Sequence, residues 1–226
     1  MIGENGMMGA DPHARVPVFR EGPPLEETTA AAILLHGRGG SARDVLALAR
    51  ALEEPRLACL APQAADSAWY PQSFLAPIER NEPWLSSALD VVRRLLDTLA
   101  EAGIPQQRAL LLGFSQGACL ALEFAARHGT RYGGVAGLAG GLIGAPGAPR
   151  DYPGSLGGTP IFLGCGDRDP FVPLERFEET ALVLAGLEAD VTRRVYPGMG
   201  HIVNEDELEH MRRMASSLPA GDPAEF

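Results

Sequence analysis

Ala109-Leu110-Leu111-Leu112-Gly113-Phe114-Ser115-Gln116-Gly117-Ala118-Cys119-Leu120-Ala121-Leu122 carries two kinds of local order with a turn between them. The apolar run at 109–112 is short enough to be a buried strand, and the run from Ala118 reads as a helix. Between them lies Gly-x-Ser-x-Gly, residues 113–117. A serine held at a sharp strand-to-helix turn adopts strained backbone geometry, and flanking glycines leave room for it. Its hydroxyl then stands above the sheet, and the start of the helix offers N–H donors and a positive dipole to a developing oxyanion.

The same alternation runs through the rest of the chain. Strand-like runs occur at Ala32–His36, Arg56–Leu60, Gly134–Ala139, Ile161–Gly164 and Val191–Tyr196. Helical patterns lie between them, from Ser41 (a capping residue) to Leu52, from Trp84 to Ala102, from Gln116 to about His128, from Leu174 to Ala185 and from about Glu205 to Leu218. In the second of these, Leu85, Leu89, Val92, Leu95, Leu96 and Leu99 recur at a near-3.6 period, and Gly103 and Pro105 end it. Strands alternating with helices predict a mostly parallel sheet covered on both faces, with ligands beyond the carboxyl ends of the strands. Two long irregular stretches, Ala61–Pro83 and Leu142–Thr159, interrupt the pattern. No internal repeat is visible.

A serine hydroxyl needs a base, and the base needs an orienting acid. The run Ile161–Gly164 is followed by Cys165-Gly166-Asp167-Arg168-Asp169-Pro170, and Val191–Tyr196 by Pro197-Gly198-Met199-Gly200-His201. The order serine, acid, histidine is the one this type of triad follows. Of the five histidines, His13 lies in a terminal segment, His128 ends a helix and His210 falls inside one; His201 alone combines a post-strand loop with a position before a helix. Asp167 and Asp169 both qualify as the acid. The loop Leu34-Leu35-His36-Gly37-Arg38-Gly39-Gly40 follows an early strand, which makes the backbone N–H groups of Arg38 and Gln116 the candidate oxyanion donors. It matches neither glycine-rich phosphate-binding pattern.

With His36-Gly37-Arg38-Gly39-Gly40, Gly113–Ala118, Gly166–Pro173 and Gly198–His201 all in place, the chain resembles the serine α/β-hydrolases. More narrowly, it resembles the small carboxylesterase/phospholipase-type family that includes acyl-protein thioesterases and bacterial family VI esterases. The resemblance spans about residues 30–218. It implies an α/β-hydrolase fold without a separate cap domain, with Ser115 as nucleophile, Asp169 as acid and His201 as base. The G-x-x-D-x-x-V-P form at 166–173 is what favours Asp169 over Asp167. Residues Ala68–Phe74 are similar to an aromatic stretch near the acyl pocket of relatives. Trp69, Tyr70, Phe74, Leu75 and Phe171 are therefore the expected pocket residues. Arg38-Gly39-Gly40 stands where thioesterases of the family often carry L-G-D, which counts against a long-acyl depalmitoylase. The expected chemistry is cofactor- and metal-free hydrolysis of short-to-medium-chain esters through an acyl-enzyme. A thioesterase or lysophospholipase using the same triad, and a non-catalytic small-molecule receptor, are the alternatives.

The length of 226 residues fits one domain, expected over 16–218, with a loose segment at 1–15 and a tail at 219–226. With 46% hydrophobic and 21% charged residues, the chain can build a sizeable core. Nineteen basic against 29 acidic residues give a net charge of −10, which argues against nucleic acid as a partner. The longest uncharged stretch, Tyr132–Pro149, holds seven glycines and two prolines and is no membrane span. Cys59, Cys119 and Cys165 are widely spaced in apolar runs and read as core residues of a protein in a reducing compartment. No targeting pattern is present, so the expected location is cytoplasmic, and apolar helix positions leave a homodimer open.

Overall fold

A computed structural model of the chain describes residues 11–219. Its centre is a seven-stranded sheet: β1 (Val18–Glu21), β2 (Ala30–Leu35), β3 (Leu57–Pro62), β4 (Ala109–Phe114), β5 (Gly134–Leu138), β6 (Pro160–Gly166) and β7 (Asp190–Tyr196). The spatial order is β1-β3-β2-β4-β5-β6-β7, with β1 antiparallel to β3 and every other pairing parallel. Among the described residues five α-helices complete the fold: α1 (Ala42–Ala51), α2 (Trp84–Glu101), α3 (Gln116–Arg127), α4 (Leu174–Gly186) and α5 (Glu205–Ser216). Among the described residues no helix is long and apolar enough to cross a membrane.

The two-residue period of the strands divides the core. Ala31, Ile33 and Leu35 of β2 face one side with Ala109 and Leu111 of β4, against α2, α3 and α4. Ala32, Leu34, Leu110 and Leu112 face the other side, against α1 and α5. Both faces are buried, which is why these strands read as unbroken apolar runs. The edge strand β7 is largely exposed and carries Arg193 and Arg194, charges that discourage pairing with another sheet. Ser41 caps α1 with a capping box to Asp44, as its position before the helical pattern predicts.

Strand β1 escaped the sequence reading, which found no strand before residue 32. A second departure concerns residues 1–15, expected to lie loose outside the domain. Residues 1–10 lie outside the described residues, but residues 11–15 pack on the fold. His13 is fully buried; its ring Nε2–H donates to Trp69 O (3.0 Å), its Nδ1 accepts from Ala65 N (3.2 Å), and its backbone N–H donates to Ser87 Oγ (2.8 Å). Burial lowers its pKa and keeps the ring neutral. Of the expected tail, residues 220–226 also lie outside the described residues.

The chain leaves β2 toward β3 on one side and resumes at β4 on the other. The strand order therefore reverses between β2 and β4, and loops diverging from that point open a crevice at their carboxyl ends. Residues 36–40 and 115–117 border this crevice.

Candidate active site

Ser115 directly follows β4 and caps α3 with φ 55° and ψ −120°, a conformation costly for a non-glycine residue. Close backbone packing holds it there. A Cβ on Gly117 would lie 2.0 Å from Leu35 O, and one on Gly113 would lie 2.3 Å from Gly117 O. Only glycine lets the first turn of α3 press onto the ends of β2 and β4. Ser115 N donates to Leu138 O (2.8 Å), which ties the turn to β5 as well.

The Ser115 hydroxyl faces His201, with 2.8 Å between Oγ and Nε2. His201 Nδ1 lies 2.6 Å from Asp169 Oδ2. The second carboxylate oxygen of Asp169 accepts the backbone N–H groups of Phe171 (2.8 Å) and Val172 (3.1 Å). Those two bonds fix the carboxylate plane, and its side chain is wholly buried. Because Asp169 accepts at Nδ1, the ring carries its proton there and presents a bare Nε2 to the serine. The rings of Phe114 and Phe171 flank the imidazole, each with its centroid 4.9 Å away.

Asp167 does different work. Its Oδ1 accepts Gly198 N (2.6 Å), while Asp167 N and Arg168 N donate to Tyr196 O (3.1 Å) and Met199 O (3.0 Å). It braces the post-β6 loop against the loop that carries His201. Of the other histidines, His36 is buried with Nδ1–H donating to Gly37 O (2.7 Å) and Nε2 accepting Ala64 N (3.0 Å), so it shapes the loop after β2. His128 contacts Phe124 O at the end of α3, and His210 stacks on Phe162. All three cysteines are buried, and burial pushes their thiols up to about 12, 11 and 12 for Cys59, Cys119 and Cys165. They stay protonated and act as core residues.

Over Ser115 lies a cavity of about 480 Å³ whose walls include Arg38, Tyr70, Phe74, Cys119, Phe171 and His201. Of the five expected pocket residues, Tyr70, Phe74 and Phe171 line this cavity. Trp69 and Leu75 do not. Trp69 is fully buried beneath the loop after β2, its indole N–H donating to His36 O (2.9 Å), and that satisfied donor permits complete burial away from the cavity. Leu75 packs at the edge of the core and lines a separate cleft with Pro173 and Arg176. The sequence reading also missed Phe114 and Cys119 as cavity walls. Cys119 was detectable, since it stands one helical turn after Ser115 on the same face. The backbone N–H groups of Arg38 and Gln116 border the cavity, and among the described residues neither has an intramolecular acceptor.

A serine strained between strand and helix, above a mostly parallel sheet wrapped by helices, marks the α/β-hydrolase fold. Within it, the chain belongs to the phospholipase/carboxylesterase family, whose model matches residues 22–218. It is similar to the phospholipase/carboxylesterase of Dyadobacter fermentans, with 38% identity, a TM-score of 0.86 and coverage of 90% of this chain and 97% of the other. It is 34% identical over 122 residues to acyl-protein thioesterase 1 of Gibberella zeae, and 30% identical over 132 residues to acyl-protein thioesterase 1 of Saccharomyces cerevisiae. These matches cover 52% and 55% of this chain and only 51% and 56% of the two thioesterases, so the chain spans about half the length of those relatives. The carboxylesterase of Bacillus cereus, 19% identical with a TM-score of 0.72 over 91% of this chain and 95% of the other, shares the fold.

Glu207, in the first turn of α5, is fully buried. Its Oε2 accepts Asn204 N (2.8 Å) in a capping box, while its buried Oε1 has no partner among the described residues. Burial pushes this carboxyl up from 4.5 to about 7. A carboxyl raised on folding binds more protons in the native state than in the unfolded one between those two values, so its contribution to stability is present below about pH 4.5 and lost as pH rises through 7. Glu207→Gln keeps an acceptor for Asn204 N and removes the titration. Relative to wild type, the variant is expected to gain about 3 kcal/mol of unfolding free energy between pH 4.5 and 8. Urea denaturation at both pH values checks this, and parallel pH profiles for the two proteins would refute it.

Proposed function

We propose that this chain is a serine carboxylesterase acting on short-to-medium-chain esters through an acyl-enzyme. The reading is carried by one observation, the 2.8 Å and 2.6 Å contacts that link Ser115 Oγ, His201 and the buried Asp169. His201 Nε2 takes the Ser115 proton as Oγ attacks the ester carbonyl, and the N–H groups of Arg38 and Gln116 receive the oxyanion. The protonated ring gives its proton to the departing alkoxide. Water then repeats the sequence on the acyl-serine, releasing the acid and restoring the hydroxyl. Asp169 holds the tautomer and stabilises the imidazolium.

The direct test is a fluorophosphonate probe followed by peptide mapping. Ser115 is expected to carry the phosphonyl group; rapid labelling of another residue, or no labelling, contradicts the assignment. In a series of p-nitrophenyl esters, kcat/KM is expected to peak below twelve carbons. A cavity of about 480 Å³ belongs to the small-molecule range, and a maximum at longer acyl chains would reverse the substrate reading. The likeness to two acyl-protein thioesterases supports a second reading, thioester hydrolysis by the same residues. Matched oxygen-ester and thioester substrates separate the two.

A further inference from the structure

Both residues assigned to the oxyanion hole send their side chains to one short stretch of backbone. Gln116 Nε2 donates to Tyr70 O (2.7 Å), and its Oε1 accepts Trp69 N (2.8 Å). The Arg38 guanidinium donates to Tyr70 O (2.8 Å), Pro71 O (2.9 Å) and Gln72 O (2.6 Å). The Tyr70 carbonyl therefore accepts from both, one bond for each lone pair. This stretch is itself anchored. Trp69 Nε1 donates to His36 O (2.9 Å), and the fully buried Asn81 accepts Gln72 N (2.8 Å) and donates to Ser73 O (3.1 Å).

We propose that the Arg38 side chain is a positioning residue: with Gln116 it pins both oxyanion donors to the Trp69–Gln72 backbone, which acts as a splint fixing their mutual geometry. The proposal rests on the esterase reading above. Arg38 stands on the loop after β2 and Gln116 at the start of α3, so nothing in the chain's local connectivity sets the angle between their N–H groups. The charge of Arg38 is met here by three successive carbonyl dipoles, an arrangement that suits a planar fork of donors and that an ammonium point charge reproduces only in part. Gly39 N, donating to Ser67 O (2.7 Å), adds a further tie from the same loop to the segment leading into the splint.

A splint acts on the transition state, since donors must meet the oxyanion rather than the ground-state carbonyl. Arg38→Met is expected to lower kcat for a p-nitrophenyl ester by about 10–100-fold, less than the ~10²–10³ of deleting a donor outright, with KM within about threefold. The inhibition constant of a substrate-like trifluoromethyl ketone, whose adduct with Ser115 puts an oxyanion in the hole, is expected to rise by the same factor. That of the matching methyl ketone should stay unchanged. Arg38→Lys is expected to fall between wild type and Arg38→Met, and it keeps the test available if the methionine variant does not fold. A kcat within twofold of wild type in a folded variant overturns the proposal, as does a rise in KM alone, which would make Arg38 a mere prop of the cavity wall. Wild-type protein without ester turnover would overturn the esterase reading and this proposal together. An active wild type with an unaffected Arg38→Met leaves the former standing and removes only the latter.

Discussion

Replacing Ser115 by alanine is expected to lower kcat for a p-nitrophenyl ester by about 10⁴–10⁶-fold, the range set by nucleophile loss in comparable triads. The fold should survive. An alanine at this position inherits the φ of 55° at no greater cost than serine, and the contacts that create the turn belong to Gly113, Gly117 and Leu35 rather than to the hydroxyl. The substitution removes one hydrogen bond, to His201 Nε2, whose ring is partly open to water. Such a bond contributes about 1 kcal/mol, so Tm should move by no more than a few degrees. Residual turnover is also expected: the N–H groups of Arg38 and Gln116 remain, and on the proposed mechanism they would still stabilise an oxyanion formed by direct attack of water. Steady-state kinetics on protein quantified by absorbance, with wild type calibrated by active-site titration, provides the check. A variant retaining a tenth of wild-type activity would remove Ser115 from the mechanism and require a different nucleophile.

The reach of the sequence was set by which features leave a chain-local trace. β2, β4, β5 and β6 are buried on both faces, and the resulting apolar runs are unmistakable in the linear chain. Ser115, Asp169 and His201 each follow one of the recognised strands, so a parallel sheet carries all three to the same edge. β1 was invisible because it is four residues long, contains Arg20 and Glu21, and exists only by pairing antiparallel with β3. Trp69 and Phe74 could not be told apart by composition. What separates them is that the Trp69 indole N–H finds His36 O, a contact between loops 33 residues apart. Likewise the role proposed for the Arg38 side chain depends on three carbonyl acceptors, which have no signature in the amino-acid code.

Asp169→Asn should cost about 10⁴-fold in kcat, through the tautomer of His201 rather than through the fold. Two backbone donors, Phe171 N and Val172 N, already claim Oδ1 of Asp169. An asparagine at this position must therefore leave its carbonyl oxygen toward them, because the alternative would press its NH₂ against two N–H groups. The NH₂ then faces His201, and a donor there is accommodated only if Nδ1 becomes the acceptor. The ring proton moves to Nε2, which now donates to Ser115 Oγ and can no longer take its proton. The bonds to Phe171 and Val172 persist, so stability should change little, whereas Asp169→Ala would remove both bonds, leave the N–H of the buried Val172 without its acceptor and lower Tm as well. Comparing the two variants separates orientation of the base from support of the loop. Nitrogen-15 chemical shifts of His201 report the tautomer directly: Nδ1 protonated in wild type, Nε2 protonated in Asp169→Asn. A wild-type tautomer in an inactive Asp169→Asn would mean that the carboxylate acts mainly through its charge on the imidazolium.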